Sequence, residues 1–166
     1  MWPFVLLGSA VAVALVAAAG LWVYGVYSMS DPRPLLVGMR IDGSRVSIKA
    51  PTCPTEAVGK VEVFDGKSEK PLWEARDPKS PEGKRGALTL WAVGEFAHSG
   101  PGRQPATLPK LLDVLLTDAG TDDGSGGVFD TSVVKAAQVP EGQYWTADGP
   151  MTAEAIDRQL SCGAER

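Results

Sequence analysis

The first thirty positions stand apart from the rest of the chain. From Trp2 to Ser30 (WPFVLLGSAVAVALVAAAGLWVYGVYSMS) there is no Asp, Glu, Lys, Arg or His. A helix of about 20 apolar residues crosses roughly 30 Å of hydrocarbon. Residues 2–29 are therefore expected to lie in a lipid bilayer, with residues 1–30 acting as a single-pass transmembrane anchor. Trp2 and Phe4 at one end, and Trp22, Tyr24 and Tyr27 at the other, fall where aromatic rings occupy the headgroup layers. The competing reading is a secretory signal cleaved near Ala17-Ala18-Ala19, but no Lys or Arg forms a basic leading region, which favours a retained anchor.

Past the anchor the pattern changes period. Residues 31–34 (DPRP) should form a stiff, extended spacer, and residues 35–166 the folded domain. Leu35, Val37, Met39 and Ile41 alternate with other residues, and beyond Asp42-Gly43 the alternation resumes with Val46, Ile48 and Ala50. Two such runs flanking Asp-Gly predict a β-hairpin. Lys60–Phe64 reads as a strand with Val61 and Val63 on one face, and Leu72–Arg76 as its partner. Asp77–Arg85 reads as a solvated loop, Ala87–Val93 as a central strand with Trp91 in mid-core, and Gly94–Pro105 as a loop.

Thr107–Thr117 (TLPKLLDVLLT) fits two periods. Leu108, Leu111, Leu112 and Leu115 make a helical stripe behind Thr107 and Pro109, so a short helix is expected, with a doubly buried strand as the alternative. Gly120–Gly127 reads as flexible and Val128–Val139 as strand. Pro140-Glu141-Gly142 turns the chain into a strand over Gln143–Ala147, which Asp148-Gly149-Pro150 should break. Thr152–Leu160 reads as a terminal helix capped by Thr152, with Ile156 and Leu160 inward.

About seven short strands with regular turn signals predict a mainly β fold, an antiparallel β-sandwich with one or two short helices; α+β is the alternative. Gly142-Gln143-Tyr144 resembles the Gly-x-Tyr of the tyrosine corner in immunoglobulin-like sandwiches, which implies an immunoglobulin-like arrangement. The cysteine that pattern sets two places after the tyrosine is Thr146 here.

The chain has two cysteines, Cys53 and Cys162. They are expected to form a disulfide closing most of the domain, since there is no Cys-x-x-Cys of a redox site. Such a bond belongs in an oxidising compartment, which argues for an extracytoplasmic domain on a cell-membrane anchor. Arg33, Arg40 and Arg45 on the carboxyl side of the span argue the other way by the positive-inside rule. They count for less because they lie in what reads as folded strand.

Composition narrows the chemistry. The 166 residues carry 16 Lys and Arg against 20 Asp and Glu, a net charge of −4, which offers no basic field for nucleic acid. Residues 31–110 hold 13 Lys and Arg against 10 Asp and Glu, whereas residues 111–166 hold 3 against 10. His98 is the single histidine and no Gly-x-Ser-x-Gly elbow occurs, so no hydrolase triad is indicated. No cofactor fingerprint is present. With Gly124 sixth in a calcium loop, Asp130 falls twelfth, but Ala119 occupies the first ligand position. Asp118, Asp122, Asp123 and Asp130 are thus a candidate for weak cation binding at most. Trp73, Tyr144 and Trp145 are the candidate binding surface, with Tyr144 and Trp145 pointing to opposite faces of a strand.

The absence of Asn, and abundant Ala, Gly, Pro and Val, suggest a GC-rich bacterial genome. The expected function is a non-catalytic, membrane-anchored interaction module with an envelope or membrane protein partner. An accessory subunit of a membrane complex, whose span would pack through Gly8, Ala12 and Ala19, is one alternative. A small envelope enzyme or ligand-binding protein using the acidic loop is the other.

Overall fold

The computed structural model describes residues 34–162. The anchor expected over residues 1–30 and most of the spacer lie outside these residues. Among the described residues no helix is long and apolar enough to cross a membrane.

The hairpin forms where the alternation placed it. β1 (Gly38–Asp42) and β2 (Arg45–Lys49) pair antiparallel from Gly38↔Lys49 to Asp42↔Arg45. The loop is Gly43-Ser44, one residue later than Asp-Gly itself, and Gly43 supplies the φ of +59° that a tight turn of this hand requires. Val37, Met39, Val46, Ile48 and Ala50 all face inward and are buried.

Val61 and Val63 likewise lie buried on one face of β3 (Val58–Asp65), which pairs with β4 (Pro71–Pro78). A four-residue helix, α1 (Pro81–Lys84), interrupts the expected solvated loop, its first turn capped by Ser80. The expected central strand after it is only β5 (Ala87–Thr89), at a sheet edge. Trp91, buried as expected, sits beyond the strand with a φ of +61°. The next expected loop contains β6 (Phe96–Ser99).

Three expectations are corrected in the second half. Leu111–Asp118 is a strand, β7, and not a helix. Leu112, Val114 and Leu116 point into the core while Leu115 is 43 % exposed, so the helical stripe mixed residues from both faces of a strand. Gly124–Asp130 is strand β8, extending into the segment read as flexible. Thr131–Ala136 is helix α2 where strand was expected, because the Asp130 carboxylate accepts hydrogen bonds from the Ser132 and Val133 N–H groups and caps it.

β9 (Gln143–Thr146) follows the Gly142 turn and is broken before Gly149 as expected; beyond the break a further strand, β10 (Gly149–Thr152), folds back on β9. Thr152 caps α3 (Ala153–Asp157), with its hydroxyl accepting from the Ala155 N–H at 3.2 Å, and Ile156 is fully buried.

The strands form two antiparallel five-stranded sheets, β10-β9-β1-β2-β5 and β6-β4-β3-β7-β8. One apolar cluster joins them, with Met39, Val46 and Ile48 from the first sheet and Val63, Trp73 and Val114 from the second. The mostly β, two-sheet expectation holds. Each sheet joins sequential pairs (β1-β2 and β9-β10; β3-β4 and β7-β8) through pairings of strands distant in sequence (β1-β9 and β2-β5; β3-β7 and β4-β6).

Candidate functional site

Cys53 and Cys162 are bonded, with Cα atoms 5.5 Å apart and 109 residues between them in sequence. The bond ties the chain after α3 to the segment leading into β3. Beside it is a polar cluster that the sequence did not reveal. Lys49, 2 % exposed, donates from Nζ to the Ala50 and Arg85 carbonyls at 2.6 and 2.9 Å and to Asp157 Oδ1 at 2.5 Å. The same Asp157 oxygen accepts from the Thr52 N–H at 3.0 Å. Desolvation holds the Lys49 ammonium below the usual lysine range, against the opposing pull of Asp157. The cluster docks α3 on the outer face of the first sheet, and every group in it is used, so it reads as structural.

The candidate binding aromatics divide. Trp73 is buried, its indole N–H donates to Ser99 Oγ at 3.1 Å, and its ring packs edge-on against Phe96 at 5.5 Å and tilted against Trp91 at 6.1 Å. It belongs to the core rather than a surface. Trp145 pairs with Met39 on the core side and is partly buried. Tyr144 lies on the opposite face, half-buried against Gly38, where a Cβ would approach its own Cβ to 2.5 Å. The two neighbours do point to opposite faces, but the three aromatics do not share one surface.

His98 is exposed, 4.0 Å from Asp77 Oδ2, in a groove of about 610 Å³ with Arg76 and Glu74. Ser99 follows it on the same strand and accepts from Trp73, so no serine–histidine pair exists here.

The aspartates also divide. Asp118 and Asp123 meet across the β7–β8 turn, where the Asp118 N–H donates to the Asp123 carbonyl at 2.8 Å. Asp122 is exposed beside them. Asp130 is at the far end of β8, occupied with capping α2 and 3.9 Å from Lys110 Nζ. Among the described residues no group of three or more His, Cys, Asp or Glu is arranged to hold a metal ion. Burial first, and then the neighbouring Glu56 and Asp123 charges, push the Asp118 carboxyl above the usual range.

What these aspartates flank is the feature the sequence concealed. Among the described residues each sheet ends in two strands that pair on one side only, and proteins guard such edges with short strands, prolines, charges or bulges. In the first sheet, β5 has three residues and β10 has four, one of them Pro150. In the second, β6 has four. β8 has seven, pairs with β7 in unbroken register from Leu111↔Asp130 to Thr117↔Gly124, and carries no Lys, Arg or Pro. Beyond that ladder, the backbone of residues 124–129 makes no other backbone hydrogen bond among the described residues. Val128 on its outer face is 60 % exposed, opposite Asp113 and diagonal to Leu115 on β7.

Comparison with protein-family models, curated proteins and solved structures finds no match.

Proposed function

We propose that this protein is a membrane-anchored, extracytoplasmic interaction module that engages a protein partner along β8. The observation that carries the reading is the contrast among the four sheet edges. Three are short, one of these also carrying Pro150, while the fourth is long, regular and uncharged over residues 124–129. An edge of that kind recruits another strand through main-chain hydrogen bonds, and side chains flanking it supply selectivity. The disulfide supports an oxidising location, and the uncharged run over residues 2–30 supports residence in a membrane. If the partner is itself embedded in the bilayer, the same surface makes this chain an accessory subunit of a membrane complex.

Val128→Lys tests the assignment. The position is exposed, so a lysine is accommodated without repacking, and it adds the kind of charge that guards natural edges. Chemical crosslinking of intact cells followed by affinity purification should recover a discrete partner with the wild-type chain and lose it with Val128→Lys, at an unchanged melting temperature. Equal recovery from both refutes the assignment.

A further inference from the structure

We propose that the partner of β8 is an extended segment of alternating β-branched residues followed directly by Lys or Arg, added antiparallel to β8. The inference rests on the reading of β8 as a docking edge and specifies its ligand. The centre of the edge asks for apolar side chains. Gly126 lies opposite Leu115, and a Cβ on Gly126 would meet Leu115 Cδ2 at 2.7 Å, so the leucine side chain leans over the glycine. Leu115 and Val128, diagonal to each other with Asp113 directly opposite Val128, then form one exposed apolar step beside the β8 backbone, and alternate side chains of an added strand rest on it.

The two ends of the edge differ in charge. At the Asp130 end the carboxylate is already answered by Lys110 and by the N–H groups of α2. At the Gly124 end Asp118, Asp122, Asp123 and Glu56 form no ion pair among the described residues, and Asp118 bears the repulsion of Glu56 and Asp123. Cations on the partner therefore belong beside Gly124. Every strand pair in this fold is antiparallel, the more stable ladder per residue. In that direction the end over Gly124 is the partner's carboxyl end. A second copy of this chain fits less well, since β8 against β8 sets each acidic turn beside the other copy's Asp130–Lys110 pair, which has no unpaired cation to offer.

The test uses the full-length chain, isotope-labelled, with its disulfide intact in uncharged detergent micelles. Three synthetic peptides are titrated: three Thr-Val repeats followed by two lysines, the same repeats preceded by two lysines, and the same repeats followed by two glutamates. The first should shift amide resonances of β8 and slow their exchange, and its affinity should fall about fivefold in an Asp122→Asn/Asp123→Asn variant and also with added salt. Equal binding of the glutamate peptide overturns the charge assignment, and equal binding of the lysine-first peptide overturns the direction. Unchanged binding to Val128→Lys overturns the site, and concentration-dependent β8 shifts without peptide assign the edge to a second copy. If no peptide binds while a probe at Val128 captures a cellular partner, the chemistry proposed here fails and the docking edge stands; if that probe is also silent, both fall.

Discussion

Replacing both cysteines with alanine removes a tie whose strength follows from the separation of its ends. Cys53 is half-buried and Cys162 exposed, so truncating the side chains costs little packing, and the change in stability reports the cross-link. Joining residues 109 apart in sequence removes loop-closure freedom from the unfolded chain, worth about 5 kcal/mol at 25 °C on the chain-entropy account. For a domain of about 130 residues, with an unfolding entropy of roughly 2 cal/mol/K per residue, that is a fall in melting temperature of about 15–20 °C. Urea unfolding of the wild type and of Cys53→Ala/Cys162→Ala in the same detergent measures it. The slope against urea should also steepen, because an unfolded chain freed of its cross-link exposes more surface. A loss below about 1 kcal/mol with an unchanged slope would mean that the tie, although it closes most of the domain, does not limit the unfolded state.

Further expectations follow from single sites. Asp157→Ala leaves the buried Lys49 ammonium without its carboxylate, at a cost of about 3 kcal/mol, moderated because Asp157 is 24 % exposed. In a double-mutant cycle with Lys49→Met, the double variant should lose less than the two singles together, and strict additivity would show that the pair is not coupled. The raised Asp118 carboxyl binds its proton in the folded state at a pH where the unfolded chain does not. Folding is therefore penalised at neutral pH, and stability recovers as pH falls through the native value, until the unfolded aspartate is also protonated at about pH 4. Asp118→Asn should accordingly melt higher than wild type at pH 7, with the advantage gone by about pH 3.5; a constant advantage across that range contradicts it. After mild reduction, a maleimide that cannot cross membranes should label Cys53 and Cys162 on intact cells, and labelling confined to lysed cells would place the domain inside.

Local signals were legible in the sequence and long-range ones were not. The first hairpin, the Thr152 cap and the cysteine pair each depend on a few residues whose stereochemistry admits few alternatives. Leu111–Asp118 misled because β7 lies inside its sheet with Leu111 and Leu115 on the outer face, so leucines from two faces imitate one helical stripe. In Thr131–Ala136 two adjacent valines favour strand, and only the Asp130 cap decides for helix. Lys49 occupies the outward position of an alternating strand and reads as solvated, but α3, more than a hundred residues later, covers it. The same applies to the proposed site. Gly-Ser-Gly-Gly reads as a flexible linker, and its place at the rim of the second sheet depends on the β7 ladder, which no local pattern encodes.

Placing a photoreactive amino acid at Val128, with Val133 as control, tests the role of β8 most directly. Both side chains are exposed, at 60 and 45 %, and only Val128 is on the edge strand. On irradiation of intact cells, the probe at Val128 should yield one discrete adduct with another protein and the probe at Val133 none; no adduct at Val128, or the same adduct at both, would contradict the assignment of this edge.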